Sequence, residues 1–219
     1  MAPLTRRHLL KAGAGAALFL VGCGADSGGV ADAQPFPTAD ADPAAPDAPP
    51  MLDATPQCEE GPTEDNIQGP FYRAGAPMKS NLVEAGDPGV RITISGSVFT
   101  TSCQIVAGTL IDIWQADDAA VYDLAGFQYR GKVTAGADGV WTVDTIIPGN
   151  YLNGAQYRPA HIHVTVTAAG MTSVTTQLYF EGDPYNSIDP FIRPSLIMPL
   201  TDAPGGGKAA RFDFVLAPV

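Results

Sequence analysis

Short runs of alternating or β-branched residues recur through the second half of this chain, each closed off by glycine, proline, asparagine or aspartate. They are Arg91–Ser95, Thr109–Trp114, Val140–Val143, His161–Val166, Ser173–Phe180 and Arg211–Leu216. Period-two patterning over four to eight residues buries one face of a strand, and the intervening punctuation forces turns. No stretch carries a long apolar stripe at helical spacing. The expected fold class is therefore mostly β, an antiparallel β-sandwich or barrel-like single domain with long loops. Ala135–Gly139 and Ile147–Asn150 are the expected turns, the second delivering Tyr151 at a strand end.

The first residues set a different constraint. Arg6 and Arg7 precede an uncharged small-residue stretch, Ala12 to Gly22, which reads as a twin-arginine export signal. At about a dozen residues it falls short of the ~20 needed to span a bilayer. It ends in Leu20-Val21-Gly22-Cys23, a lipobox-like sequence in which Cys23 would become a lipid anchor. The alternative is plain cleavage nearby and a soluble exported protein. Residues 1–22 are thus expected as a twin-arginine lipoprotein signal peptide, and 23–56, rich in Ala, Asp and Pro, as a disordered linker that cannot bury enough apolar surface to fold. Residues 57–219 form the single β domain in this reading. The expected location is the bacterial cell envelope, with membrane contact only through Cys23.

A net charge of −11, more negative once Arg6, Arg7 and Lys11 leave with the signal, argues against nucleic acid as a partner. Cys58 and Cys103 remain after Cys23. In an oxidising compartment they could pair, tying the N-terminal arm of the domain to its sheet, or stay as two buried thiols.

His161 and His163 are the only histidines outside the export signal. At i and i+2 of a strand they share one face, roughly 6 to 7 Å apart, within reach of one metal ion. The spacing alone is equally consistent with two polar residues on a strand face.

The chain resembles the intradiol ring-cleavage dioxygenases, the protocatechuate 3,4-dioxygenase and catechol 1,2-dioxygenase family. The resemblance spans about Thr63 to Val215. It rests on Thr63–Tyr72, on Ile111–Asp117 leading to Tyr122, on Pro148–Tyr151, on Arg158–His163 and on Gln177–Pro184. It implies a non-haem Fe(III) held by Tyr122, Tyr151, His161 and His163 with a hydroxide. Ferric iron is a hard acid suited to anionic oxygen, and its charge can pull a phenol well below its usual pKa of about 10. The implied substrates are a small aromatic diol and O2. The diol gives one proton to hydroxide and one to Tyr151, and the product is a cis,cis-muconate-type dicarboxylate. Arg158 would stabilise charge developing on the ring, with Gln177 as a polar neighbour. Trp114 reads as core, Tyr157 as a wall of the site, and Tyr72 and Arg73 as pocket residues.

The family often carries glycine two residues before the first tyrosine, where this chain has Ala120, so the turn presenting Tyr122 is expected to differ. The helical dimerisation region of the catechol enzymes has no counterpart, which favours a protocatechuate-type core; a homo-oligomer remains open. Two other readings use the same residues. One is a ferrous oxygenase with His161, His163 and Glu181 as a facial triad. The other is a non-catalytic surface-tethered β-sandwich that binds a ligand or partner.

Overall fold

Alternation along the chain becomes strand pairing in the computed structural model, which describes Cys58 and residues 61–219. The expected export signal and linker lie outside the described residues. β1 (Arg91–Thr100) pairs antiparallel with β4 (Val140–Ile146). It also pairs parallel with β11 (Lys208–Arg211) over its first half and with β12 (Phe214–Leu216) over its second. β10 (Thr201–Asp202) extends this sheet beside β11. The second sheet runs β3 (Arg130–Thr134), β2 (Leu110–Trp114), β7 (His161–Thr167), β8 (Val174–Phe180) and β9 (Ile197–Met198). A hairpin of β5 (Leu152–Asn153) and β6 (Gln156–Tyr157) stands apart from both.

The fold is mostly β, as expected, but its sheets are mixed. The parallel partners of β1 come from the far C-terminal end, and β8 pairs parallel with β9. Local alternation carries no information about strand direction. The single run expected at Arg211–Leu216 is two strands, because the buried Asp213 turns inward to accept the Ser97 amide at 2.7 Å and to pair with Arg211. The turn expected at Ala135–Gly139 is present, closed by the Gly139 amide donating to the Gly136 carbonyl.

One core fills the space between the two sheets. Ile92, Ile94, Val98, Trp141, Val143 and Phe214 from the first pack against Ile111, Ile113, Ile162, Val164, Leu178 and Phe180 from the second. Burying each aliphatic side chain contributes about 1.5–3 kcal/mol, so the inner faces fix the register of both sheets. An N-terminal arm is stitched across the outside. Cys58 is disulfide-bonded to Cys103, resolving that alternative in favour of the bridge. Thr63 exchanges hydrogen bonds with Val215, and the Asn66 amide donates to the Thr175 carbonyl. From there the arm passes over one end of the second sheet.

Candidate metal centre

At that end, β7 lies between β2 and β8. The register puts Trp114, His163 and Gln177 in one cross-strand row and His161 opposite Tyr179 in the next. Directly paired residues share a face, so both imidazoles project away from the apolar core. Their rings are 4.9 Å apart between centroids and almost fully buried. Trp114 is buried as expected, yet it is more than core filling: its ring stacks on His163 at 5.0 Å and 8° and fixes that imidazole's plane.

The tyrosines arrive from loops. Tyr122 follows a tight turn in which the Asp117 carboxylate accepts the Val121 amide at 2.7 Å, and Ala120 adopts φ of 66°. Alanine thus occupies a left-handed conformation that glycine reaches more cheaply. The Gly149 amide donates to the Asp117 carbonyl, and a Cβ on Gly149 would lie 2.5 Å from the Asp118 carbonyl oxygen. Only glycine allows this approach, which locks the Tyr122 turn against the segment leading to Tyr151. Asp183 then accepts from Asn150 Nδ2 at 2.7 Å and from the Ala160 amide at 2.9 Å. One carboxylate therefore holds the segments that present Tyr151 and His161.

These contacts gather the predicted donors into one cluster. Ring centroids are 6.2 Å apart for Tyr122 and Tyr151, 6.2 Å for Tyr122 and His163, and 5.6 Å for Tyr151 and His161. His161 Nδ1 donates to the Pro159 carbonyl at 2.7 Å, which leaves the Nε2 lone pair free. His161 Nε2 and His163 Nδ1 are both buried without a hydrogen-bond partner. Burial, reinforced by the nearby Arg158 charge, pushes His161 down to about 4. Burial and His161 hold His163 well below its usual range. Both imidazoles are therefore neutral at pH 7, the form that ligates metal. Burial, with Tyr151 next, raises the Tyr122 phenol, so in the protein alone that phenol stays protonated. Two orphaned ring nitrogens on imidazoles beside two phenols fit a hard trivalent cation, whose charge would convert phenol to phenolate.

Arg158 and Gln177 complete the cluster. Arg158 Nη1 donates to Tyr151 Oη at 3.3 Å, and Nη2 donates to Gln177 Oε1 at 2.8 Å and Tyr179 Oη at 3.3 Å. Nε pairs with Asp189 at 2.8 Å, with both side chains buried. Burial works against the guanidinium charge, but the bonds to Tyr151 and Asp189 outweigh it and raise its pKa. Gln177 Nε2 donates to the Ile67 carbonyl at 2.8 Å, anchoring the arm. The structure thus brings together all of Tyr122, Tyr151, His161, His163, Arg158 and Gln177.

Several neighbours escaped the sequence reading. Asp189, Tyr179 and Asn66 hold Arg158 and the arm, with Asn66 Nδ2 donating to the Phe191 carbonyl at 2.7 Å. Phe71 stacks on Tyr122 at 4.3 Å and meets Tyr151 edge-on. Asp183 lay inside a recognised block, whereas nothing local distinguishes Asp189 from other loop aspartates. Tyr157, expected as a wall, is half exposed and stacks on Tyr185. Tyr72 bonds Asp112 and packs edge-on against Trp114, and Arg73 donates to the Gly126 carbonyl. Glu181 is exposed, and among the described residues no group of three His, Cys, Asp or Glu side chains is placed to hold a metal. The donor set is imidazole and phenol.

Known proteins share this fold. The sequence profile described as Dioxygenase matches residues 67–218. Chlorocatechol 1,2-dioxygenase of Rhodococcus opacus is 31% identical over 185 residues, covering 70% of this chain and 72% of the relative. The dioxygenase domain of a dioxygenase carbohydrate-binding protein fusion from the cellulolytic bacterium Streptomyces sp. SirexAA-E superposes with a TM-score of 0.68 at 42% identity, covering 72% of this chain and 99% of that one. The crystal structure of 3-chlorocatechol 1,2-dioxygenase from Rhodococcus opacus 1CP gives 0.68 at 29% identity, covering 74% and 76%. With its β-sandwich, its family profile and these relatives, the chain belongs to the intradiol ring-cleavage dioxygenases.

Proposed function

We propose that this enzyme binds Fe(III) through Tyr122, Tyr151, His161 and His163 and uses O2 to cleave a catechol-type ring between its two hydroxylated carbons, giving a cis,cis-muconate-type dicarboxylate. Both oxygen atoms end in the product, which balances the reaction without a further reductant. The observation that carries the reading is the pair of buried, unpartnered nitrogens, His161 Nε2 and His163 Nδ1, on rings whose centroids lie 5.6 Å from that of Tyr151 and 6.2 Å from that of Tyr122. The names of the relatives, chlorocatechol and catechol 1,2-dioxygenases among them, support a catechol-type substrate.

Ferric iron bound there would supply Lewis-acid activation of the diol toward oxygen. The chain's own residues do the rest. Pro159 holds His161 in the tautomer that presents Nε2. Tyr151 is only partly buried, and its phenol oxygen, which accepts from Arg158 Nη1, is the one placed to take a substrate proton. Arg158, fixed through Asp189 and Gln177, keeps a positive charge at that oxygen and at the adjoining ring position, where negative charge develops. Phe71 against Tyr122 and the arm over His163 limit access of water.

We further propose export to the cell envelope. The Cys58–Cys103 disulfide supports it, since such bonds persist in oxidising compartments. Oxygen uptake tests the catalytic reading: iron-loaded protein should consume one O2 per catechol and release a ring-opened dicarboxylate. Uptake without that product would overturn it.

A further inference from the structure

Arg130, at the start of β3, is 1% exposed, yet it has no carboxylate partner. Its Nε and Nη2 both donate to the Asp123 carbonyl, at 3.1 and 2.9 Å, and Nη1 is buried without a hydrogen-bond partner. The Asp123 carboxylate is already committed to the backbone amides of Ala125, Gly126 and Gln128. Among the described residues no ion pair includes Arg130. A guanidinium in the interior without a carboxylate at pairing distance is costly; Asp123 and Asp112 favour its charge only from farther off, and a further anion beside it would stabilise it.

Tyr122 is placed to supply that anion. Arg130 Cζ lies 6.0 Å from the centroid of that ring, as Arg158 Cζ lies 5.8 Å from the ring of Tyr151. The two arginines differ in one respect: Asp189 pairs directly with Arg158, whereas Asp123 and Asp112 act on Arg130 only from beyond pairing distance, with Tyr122 between them in strength. We propose that Arg130 is a positioning residue for the metal centre, a fixed counter-cation to the Tyr122 phenolate that acts through that phenol and not on the substrate. The inference rests on Tyr122 being an iron ligand and deepens that reading.

A cation beside a phenolate stabilises its filled orbitals. Tyr122 then donates less strongly to the metal, which moves its charge-transfer band to higher energy and makes ferric iron easier to reduce. The test compares the visible spectrum and reduction potential of iron-loaded wild type, Arg130→Met and Arg130→Lys. Arg130→Met should move the tyrosinate band to longer wavelength and lower the potential, while Arg130→Lys should stay near wild type. Arg130→Gln, which keeps a donor for the Asp123 carbonyl, gives the same readout where Arg130→Met does not fold. A neutral variant with an unmoved band and potential would overturn the inference. So would a lysine variant displaced as far as the neutral one, because the role would then belong to guanidinium shape. Wild type lacking any tyrosinate band would instead remove the parent reading, and this one with it.

Discussion

Arg158 donates to the phenol oxygen of Tyr151 at 3.3 Å while the Asp189 carboxylate grips its Nε at 2.8 Å. The guanidinium is thereby aimed by a carboxylate 31 residues away in sequence. Breaking a buried ion pair from one side leaves the other charge stranded, at a cost of about 3–5 kcal/mol. Asp189→Asn should therefore lower the unfolding free energy by that order in urea titrations and slow turnover. Unchanged stability would mean that Asp189 does not hold Arg158.

Tyr151 is the partly buried member of the donor set. Tyr151→Phe should retain iron through Tyr122, His161 and His163, but shift the visible band and slow turnover, as read by metal analysis and spectra of one sample. An identical spectrum would remove Tyr151 from the metal.

Gly69 carries the arm across His163 with φ of 70°, and a Cβ there would lie 3.1 Å from His163 Cε1. The left-handed backbone alone costs alanine roughly 1–2 kcal/mol, and the contact pushes on a proposed ligand. Gly69→Ala should lose iron affinity in chelator competition while the fold persists. Wild-type affinity would show that the arm is free to yield.

Acid should destabilise the metal-free protein in a defined window. The folded His161 titrates at about 4, against 6.5 when unperturbed, because it is buried. Between those values the unfolded chain binds a proton that the native state refuses, so stability is complete above pH 6.5 and declines toward pH 4. The loss from His161 is on the order of 3 kcal/mol, and His163 shifts in the same direction. Urea midpoints measured across that range should fall with pH; a flat profile would contradict the buried neutral pair.

Particular elements show what could be read in advance. β4, β7 and β8 announced themselves through alternation, and the i, i+2 histidines of β7 fell on one face as geometry requires. β3 did not, because Arg130, Gly131 and Lys132 obscure its pattern: Arg130 is buried although charged. Ala120 in place of glycine suggested a different turn, yet its backbone still takes the left-handed conformation, held by Asp117 and Gly149. The parallel pairing of β1 and the grip of Asp189 on Arg158 are long-range, and no local pattern encodes them.

The most direct measurement of the central claim is the visible spectrum of iron-loaded protein, recorded alone and after anaerobic addition of catechol, with iron quantified on the same sample. Ligation by Tyr122 and Tyr151 should give a broad tyrosinate-to-iron charge-transfer band that moves to longer wavelength when the diol binds. Stoichiometric iron in a colourless protein, or a band indifferent to catechol, would contradict it.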